Sequence, residues 1–396
     1  MKRGFLKAKT VVTPQKSPVE EAALNPSPFI GDGGYMYCTI PQDAPPNEPV
    51  SECCLPPETV ANLLKIPGFP HPMQPIVEVL FRLGESPEKG LGLFATRAIT
   101  QGEVLLDRRP LLVSSMSQRP LTTKALEAMI AKISLTGQPP NPHKILSSSM
   151  ETIVGRMRPE NRAAYMALAN STPDSPVLGI FDTNGAGIVD AELNDNGGPT
   201  CTYSAVCDII SRMNHSCCPN TSRVFDKNSF SIRLYAARNI AKSEELTFPY
   251  VDLLSCKADR QENLDEYGFV CTCHACVDPA SDDHREDIHE FEFDPPRLLK
   301  WARDKTLPDD WLLKKCYRQL ELLEQEGLQS IDEYWEVLAD LSRVYLCFGD
   351  IKNAREWAAR AYQCQWIHCR RFDRADIDVI LGDKYEQSAF WCLRQR

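Results

Sequence analysis

The chain has 396 residues, a formal net charge of −10 at pH 7 and 43% hydrophobic residues. This length suffices for two or three domains, and the composition is that of an ordinary soluble globular protein. The acidic balance argues against a broad nucleic-acid-binding surface, which would normally be basic. We also expect no membrane span, because the sequence has no stretch of eighteen apolar residues.

The start of the chain gives an expectation about its compartment. Residues 1–9 carry charges where a secretory signal needs an apolar run. We therefore expect a cytoplasmic or nuclear protein. In such reducing compartments the 16 cysteines favour metal binding over disulfide bonds.

The N-terminal part of the chain is rich in proline. Residues 1–75 hold 14 of the 30 prolines and show no sustained hydrophobic period, so we predict a proline-rich, irregular arm. Cys38, Cys53 and Cys54 in this arm lack the paired spacing of a zinc finger. We therefore expect no separate metal site there.

Short strand signals follow the arm. Runs of strand-forming residues occur at 76–83, 90–96, 104–106, 229–237 and 246–248. Residues 115–200 have a mainly helical, loop-rich pattern and interrupt these strands as an insert. Apolar residues within 206–213 recur at i, i+3, i+4 and i+7, which predicts an amphipathic helix that ends at Asn214-His215.

From about residue 285 the signals are helical. Helix formers with apolar periodicity occur at 310–326, 331–348 and 351–370. The last two segments match much of the spacing of the 34-residue tetratricopeptide repeat. One unit cannot form a solenoid, so we predict a TPR-like helical domain packed on the first domain.

The cysteines of the middle region have the spacing of metal ligands. Cys271, Cys273 and Cys276 form a Cys-x-Cys-x-x-Cys cluster, which supplies three of the four soft ligands of a tetrahedral zinc. The fourth ligand must come from elsewhere, and Cys217 and the adjacent Cys218 are both candidates. Such a metal would hold two distant segments together.

Four motifs occur in a specific order along the chain. They are residues 89–94 (KGLGLF), 214–220 (NHSCCPN), 244–250 (EELTFPY) and 267–276 (YGFVCTCHAC). In this order and spacing they resemble the SET-domain methyltransferases, and among these the SMYD-like subgroup. The resemblance covers about residues 76–280, and the helical C-terminal region is similar to that subgroup as well. The sequence after Phe94 lacks a recognisable MYND zinc finger, which typical members have.

The resemblance implies a fold and a division of the chain. It implies an α+β protein with a β-rich SET fold, a helical insert and a zinc-bound post-SET segment, followed by an α-helical TPR-like domain. The implied parts are a proline-rich arm (1–75), a SET domain (76–255, with the insert at 115–200), a post-SET zinc segment (256–284) and a TPR-like domain (285–396).

The resemblance also implies S-adenosylmethionine as the methyl donor and one structural zinc ion. The implied donor contacts are Lys89, Gly90, Leu91, Asn184, Asn214, His215, Tyr250 and Phe269. The implied zinc ligands are Cys217, Cys271, Cys273 and Cys276. Tyr250 is the implied catalytic tyrosine, and Tyr267 lines the acceptor channel with it. A lysine acceptor must first lose a proton, since its reference pKa is about 10.4, and tyrosine hydroxyls can orient the neutral amine.

Three functions follow from this resemblance as hypotheses. The leading one is protein-lysine N-methylation with S-adenosylmethionine. The first alternative is O-methylation of a small molecule at a carboxylate or hydroxyl, against which an open groove or a strongly acidic channel mouth would argue. The second is a non-catalytic adaptor, which would not bind the donor. We expect a protein-lysine substrate or a small-molecule acceptor, no direct contact with nucleic acid or membrane, and a monomer.

Overall fold

The computed structural model of the protein describes residues 26–31, 34–87, 89–115, 142–189, 202–291, 295–364 and 375–395. Parts of the predicted insert (116–141 and 190–200) and the end of the predicted helix 351–370 lie outside these ranges. The strands are β1 (Phe29–Ile30), β2 (Met36–Ile40), β3 (Ser51–Leu55), β4 (Phe81–Ser86), β5 (Gly90–Ala95), β6 (Val104–Arg108), β7 (Leu112–Ser115), β8 (Ala186–Val189), β9 (Thr202–Val206), β10 (Asn214–His215), β11 (Thr221–Asp226), β12 (Ser231–Ala236) and β13 (Glu245–Phe248). The helices are α1 (Pro57–Leu63), α2 (Pro142–Arg156), α3 (Pro159–Met166), α4 (Leu178–Asn184), α5 (Lys257–Leu264), α6 (His274–Val277), α7 (Ser281–Glu290), α8 (Pro295–Arg303), α9 (Trp311–Gln325), α10 (Asp332–Cys347), α11 (Ile351–Gln363) and α12 (Ala375–Leu381).

The described strands form three sheets. Their orders are β1-β2-β3-β7-β9-β8, β10-β13-β5-β4 and β11-β12-β6. Most neighbours are antiparallel, but β3 runs parallel to β7 and β10 runs parallel to β13. The sheets enclose a core that includes Leu105, Ile232 and Leu234, all fully buried. The β-rich first region and the helical C-terminal region agree with the predicted α+β class.

The prediction of an irregular arm is wrong for residues 36–63. β2 pairs with β3, and β3 pairs with β7, which buries Cys38, Cys53 and Leu55 in the core. Six of the 14 prolines lie in the connection between β2 and β3 or at the start of α1, where they remove no ladder hydrogen bond. Residues 1–25 of the predicted arm lie outside the described part of the chain.

A buried ion pair joins this N-terminal segment to the insert. Glu52 Oε2 accepts from Arg156 Nε at 3.1 Å, and Glu52 Oε1 accepts from the Thr39 hydroxyl at 2.7 Å. Burial raises the pKa of Glu52 to about 7, and the bonds from Thr39 and Arg156 do not compensate for the lost hydration. Glu52 therefore changes its charge near neutral pH.

We expect this titration to appear in the stability of the protein. The pKa of Glu52 in the folded protein, about 7, exceeds the ordinary value of 4.5. The stabilisation that comes from protonated Glu52 is therefore complete below pH 4.5 and is lost as the pH rises through 7. Relative to Glu52→Gln, the parent should lose about 3 kcal/mol of unfolding free energy between pH 4 and pH 8. Denaturant titration measures this difference. Glu151→Gln, on the exposed face of α2, is the control, and a pH-independent difference for Glu52→Gln would contradict the expectation.

Most of the predicted strands are confirmed. The predictions at 90–96, 104–106, 229–237 and 246–248 correspond to β5, β6, β12 and β13. The strand predicted at 76–83 begins only at Phe81. Residues 76–80 have the residue types of a strand, but they lie outside the ladder and Val77 is fully exposed.

The amphipathic helix predicted at 206–213 is wrong. Val206 ends β9, and only a 3-10 turn, Ile210–Arg212, precedes β10. Val206, Ile210 and Met213 are buried as the pattern indicates, but Val206 gains its hydrogen-bonding partner across the sheet, opposite Leu112. Short apolar runs of this length fit a strand and a helix equally well.

The long periodic segments near the C-terminus form helices as predicted. The segments 310–326 and 331–348 correspond to α9 and α10, and α11 covers the first part of 351–370. Trp335 and Leu341 of α10 are fully buried in the helical core. The TPR-like identity of this region stays a prediction. No helix within the described ranges is long and apolar enough to cross a membrane.

Candidate active site and cysteine cluster

The parallel pairing of β10 with β13 positions the centre of the candidate site. Asn214 lies opposite Thr247 and His215 lies opposite Phe248. This register brings the Asn214-His215 motif beside the strand that leads to Tyr250. The backbone N–H of Tyr250 donates to His215 Nδ1 at 3.1 Å, so the two motifs are joined directly.

Polar groups converge where β5 faces Asn214. The Asn214 side-chain amide donates to the Leu91 carbonyl at 3.0 Å and to Glu245 Oε1 at 2.7 Å. The Ser86 hydroxyl donates to the other carboxylate oxygen, Glu245 Oε2, at 3.0 Å. A Cβ atom added at Gly92 would lie 2.4 Å from Glu245 Oε1 and 3.1 Å from Asn214 Nδ2. A side chain at position 92 would therefore have to push the Glu245 carboxylate away from Asn214.

The Gly92 contact gives a testable expectation. In Gly92→Ala the new methyl group displaces the Glu245 carboxylate, which leaves Asn214 without its partner. We expect donor affinity to fall at least about tenfold, since losing a charge-assisted hydrogen bond costs about 1.5–3 kcal/mol. Calorimetric titration with S-adenosylhomocysteine measures this affinity. Gly155→Ala, on α2 with nothing within 4 Å of its added Cβ, is the control and should bind the ligand as the parent does. Unchanged affinity in Gly92→Ala would contradict a donor site at Asn214 and Leu91.

Aromatic rings converge on the other side of His215. The ring centroids of Tyr250 and Tyr267 are 4.9 Å apart, and His215 lies 5.4 Å from Tyr250 and 6.2 Å from Phe269. The Tyr250 hydroxyl donates to the Met213 carbonyl at 2.5 Å. Burial raises the pKa of both tyrosines. Both hydroxyls therefore stay protonated at neutral pH.

His215 connects this aromatic cluster with the cysteines. Burial lowers its pKa to about 4, so the ring is neutral at pH 7. Since Nδ1 accepts the Tyr250 N–H, the ring proton lies on Nε2, which is 3.2 Å from Cys217 Sγ. The histidine can therefore donate to the sulfur on one side while it holds the Tyr250 backbone on the other.

Four cysteines come together next to His215, as predicted from the sequence. The sulfur atoms of Cys217, Cys271, Cys273 and Cys276 all lie within 4.8 Å of one another. Four sulfurs around one zinc at about 2.3 Å stand about 3.8 Å apart, and the Cys217–Cys276 separation is 3.6 Å. The donor set and its geometry fit a structural zinc, and they select Cys217 over Cys218 as the fourth member.

A buried arginine supports an anionic state of this cluster. Arg260 of α5 is fully buried, and its Nη1 donates to the Ser255 carbonyl at 2.5 Å. Its Nε and Nη2 have no hydrogen-bond partner among the described residues. Burial lowers the pKa of Arg260, but the Cys217 and Cys276 sulfurs raise it by more. Neutral thiols are weak acceptors, so a buried guanidinium here fits thiolates that bind a metal.

The helical region contacts the same cluster through a second buried arginine. Arg285 Nη2 donates to the Cys217 carbonyl at 3.1 Å and lies 3.4 Å from Glu326 Oε2. Glu326, which follows α9, is 1% exposed and also accepts from Ser281 at 2.6 Å. Gly327, at φ 67°, packs on Cys218, and a Cβ there would lie 2.8 Å from the Cys218 Cβ. The loop after α9 is therefore part of the site's support.

Most of the predicted site residues lie in this one network. They are Leu91, Asn214, His215, Tyr250, Tyr267, Phe269 and the four cysteines. Lys89 is half-buried, and its positive charge contributes to the low pKa of His215. Gly90 adopts φ 84°, a conformation that favours glycine.

Asn184 is attached to the site less directly. Its side-chain amide donates to the carbonyls of Ala169 and Ile180 at 2.7 and 2.8 Å. Its own carbonyl accepts from Ser211 at 3.4 Å, in the turn that precedes β10. A contact between Asn184 and a bound donor would have to use Oδ1 or the backbone.

Sequence reasoning missed several residues that support the site. These are Ser86, Glu245, Arg260, Arg285 and Glu326. Glu245 stands inside one of the four motifs, which was a usable signal. The two arginines and Glu326 carry no such signal in the sequence, because their role arises only when distant helices pack on the cysteine loop.

Comparison with known proteins agrees with this geometry. The SET domain family model matches residues 90–251. N-lysine methyltransferase SMYD2-A of Xenopus laevis is 32% identical over 209 residues, which cover 49% of this chain and 46% of that protein. Histone-lysine N-methyltransferase set5 of Schizosaccharomyces pombe is 25% identical over 207 residues, 52% of each protein. The chain thus spans about half the length of the curated relatives it matches.

Among solved structures, the SET domain of LSMT bound to lysine and AdoHcy is 14% identical. The match covers 85% of this chain and 89% of that chain, with a TM-score of 0.28, and a score this low adds nothing to the assignment. The family model and the sequence relatives carry the comparison instead. Residues 90–251 are similar to the SET domain, and about half of the chain is similar to N-lysine methyltransferases of the SMYD type.

Proposed function

We propose that this protein transfers a methyl group from S-adenosylmethionine to the side-chain amine of a lysine in a protein. The observation that carries the proposal is the position of Tyr250 and Tyr267, whose rings are 4.9 Å apart, beside the Asn214-His215 motif. The two relatives described above are named as lysine methyltransferases. The segment that matches the SET family model includes Tyr250.

The residues around Gly92 fit a donor that carries an ammonium group. Both N–H groups of Asn214 are used within the protein, so Oδ1 is the atom left to accept from a ligand. The Glu245 carboxylate beside it adds a negative charge that complements the ammonium. Gly90 and Gly92 let the backbone approach the ligand closely, and Lys89 can pair with the donor's carboxylate.

The tyrosines suit the orientation of an amine. The bound donor would supply a methyl group on a sulfonium, and its transfer to a neutral amine breaks the S–CH3 bond and forms an N–CH3 bond. Because the Tyr250 hydrogen is committed to the Met213 carbonyl, the hydroxyl lone pairs are left to accept an N–H of the amine. Alignment of the two reacting atoms is the main contribution that the chain can make to such a step.

Neither tyrosine suits the role of general base, because both stay protonated at neutral pH. The lysine proton must therefore pass to water before the transfer. The aromatic walls of Tyr250, Tyr267 and Phe269 favour this loss, because a poorly hydrated environment disfavours the ammonium form.

The segment 252–290, which carries Tyr267, has an acidic surface that favours a cationic substrate. The exposed acidic residues between 252 and 290 are Asp252, Asp259, Glu262, Asp265, Glu266, Asp283, Glu286, Asp287 and Glu290. Within the same segment, which is fully described, Lys257 is the single exposed lysine or arginine. Such a field attracts basic peptides. A carboxylate-bearing small molecule would be repelled, so this surface argues against the O-methylation alternative.

The finer structural assignments belong to the same proposal. Cys217, Cys271, Cys273 and Cys276 would hold one zinc with no open position for chemistry, and the metal would fix the segment that carries Tyr267 and Phe269. The pair α10–α11, joined at Gly349 with φ 73°, has the helix–turn–helix form of a TPR unit. We also propose a cytoplasmic or nuclear location.

The test is methyl transfer by the full chain. Incubation with labelled S-adenosylmethionine and histone or lysate proteins should incorporate label on lysine, located by mass spectrometry of the digested acceptor. Calorimetry with S-adenosylmethionine accompanies it. Donor binding with transfer only to small molecules would overturn the lysine assignment, and absence of donor binding would favour the adaptor hypothesis.

A further inference from the structure

Arg260 is a buried cation that lacks a full set of partners. Its side chain is 0% exposed, and one end is held by the Ser255 carbonyl and lies 3.5 Å from Asp282 Oδ1. Asp282 is partly exposed, with 43% of its side chain accessible. The other two nitrogens, Nε and Nη2, have no hydrogen-bond partner within the described ranges. Burying such donors without acceptors is costly.

The helix that carries Arg260 is fastened to the cysteine loop. The neighbouring Gln261 accepts from the Cys271 N–H at 3.0 Å and donates to the Phe269 carbonyl at 3.0 Å. These bonds fix α5 against the segment that supplies three of the four sulfurs. Arg260 thus stands on a helix that is held against the cysteine loop, and the Cys217 and Cys276 sulfurs act on its charge.

The charge of the metal-bound cluster explains this placement. When four thiols bind one Zn²⁺, four protons leave, and the site carries a net charge of −2. Three of the four cysteines are almost fully buried, so water can offset little of that charge. A guanidinium with two unpartnered nitrogens is suited to this role, because each nitrogen can donate to a sulfur while the positive charge compensates the cluster.

We propose that Arg260 is the charge-compensating partner of the four-cysteine metal site and that its Nε and Nη2 donate to the zinc-bound sulfurs. This inference rests on the proposed zinc site. Arg260 is a positioning residue: it controls how firmly the metal is retained and thereby how firmly the Tyr267 segment is held. Groups that bond to metal ligands typically change metal affinity 10–100-fold when they are removed.

The experiment measures zinc release from the purified full chain to a coloured chelator. Arg260→Gln should release zinc at least about tenfold faster than the parent. Arg394→Gln is the matched control, because Arg394 is also buried but its bonds go to oxygen atoms of the helical region. We expect its release rate to stay within about threefold of the parent. Equal rates for Arg260→Gln and the parent, or equally fast release from Arg394→Gln, would overturn the inference.

A second variant keeps the test decisive if Arg260→Gln does not fold. In Arg260→Lys the charge remains, but one ammonium on a shorter stem cannot reach both sulfurs. After cobalt substitution, loss of an N–H···S bond should move the sulfur-to-metal charge-transfer band to longer wavelength, and an unshifted band would count against the inference.

The zinc content of the parent tests the metal site separately. A parent without metal contradicts that site, whereas a loaded parent with an equally stable Arg260→Gln contradicts only the role of Arg260.

Discussion

Tyr250→Phe is expected to lower kcat about 100-fold, the typical cost of removing one positioned polar group from an active site. The change removes only the hydroxyl that the Met213 carbonyl holds at 2.5 Å. Without it, the amine loses the acceptor that would align its lone pair with the methyl group. The binding of S-adenosylhomocysteine should be unchanged, since the donor contacts proposed around Asn214 and Gly92 are intact.

The stability of Tyr250→Phe separates catalysis from folding. Loss of one buried hydrogen bond costs about 1 kcal/mol, which thermal unfolding can verify. Tyr362→Phe is the matched control, because its side chain is 49% exposed on α11. Full turnover in Tyr250→Phe, or the same loss in Tyr362→Phe, would show that the hydroxyl does not orient the acceptor.

Cys273→Ser is expected to release the metal and to destabilise the whole site. Structural zinc contributes roughly 10–16 kcal/mol of binding free energy in small domains, and several kcal/mol of this should be lost with one thiolate. Zinc content by mass spectrometry and the unfolding midpoint by calorimetry measure both effects. Methyl transfer should disappear with the metal. Gln261 bonds to the backbones of both Cys271 and Phe269, so disorder of the cysteine segment should also displace the Phe269 ring.

Cys218→Ser is the control for this prediction. Cys218 is adjacent to Cys217 in sequence, but the sulfur cluster does not include it. The exposed Cys256 provides a second control. Both serine variants should keep a full complement of zinc. Retention of zinc in Cys273→Ser, or its loss in Cys218→Ser, would contradict the assigned ligand set.

The parts of the site that lie within contiguous motifs could be predicted from the sequence. Asn214, His215 and Tyr250 stand in short segments whose residue types are themselves the signal, and the geometry brings them together. The choice of Cys217 over Cys218 depended on family resemblance, because spacing alone fits both residues. In the structure the cluster of close sulfur atoms includes Cys217 and not Cys218.

The supporting contacts could not be predicted, because they depend on which faces of distant elements meet. Arg260 and Arg285 look like ordinary surface residues of acidic helices in the sequence. They become buried only when the cysteine loop and the loop after α9 close over them. The same limit applies to residues 206–213, where pairing with β7 outweighs a correct apolar period.

The N-terminal segment shows how composition can mislead. Fourteen prolines within residues 1–75 indicated disorder, yet β2 and β3 complete a six-stranded sheet. Proline content describes a whole stretch, whereas strand formation depends on where each proline stands. Here the strands fall between the prolines, so the average over the stretch concealed them.

The contact of Glu326 and Gly327 with the cysteine loop restricts how this chain can be recombined with its relatives. A chimera that takes the chain from α8 onward from another protein would leave Arg285 of α7 without the Glu326 carboxylate that lies 3.4 Å from it, unless the donor sequence carries an acid at the equivalent place. It would also need a glycine where Gly327 meets Cys218. Exchange of modules with such relatives should therefore succeed only when the loop after α9 is transferred together with the region that carries the cysteines.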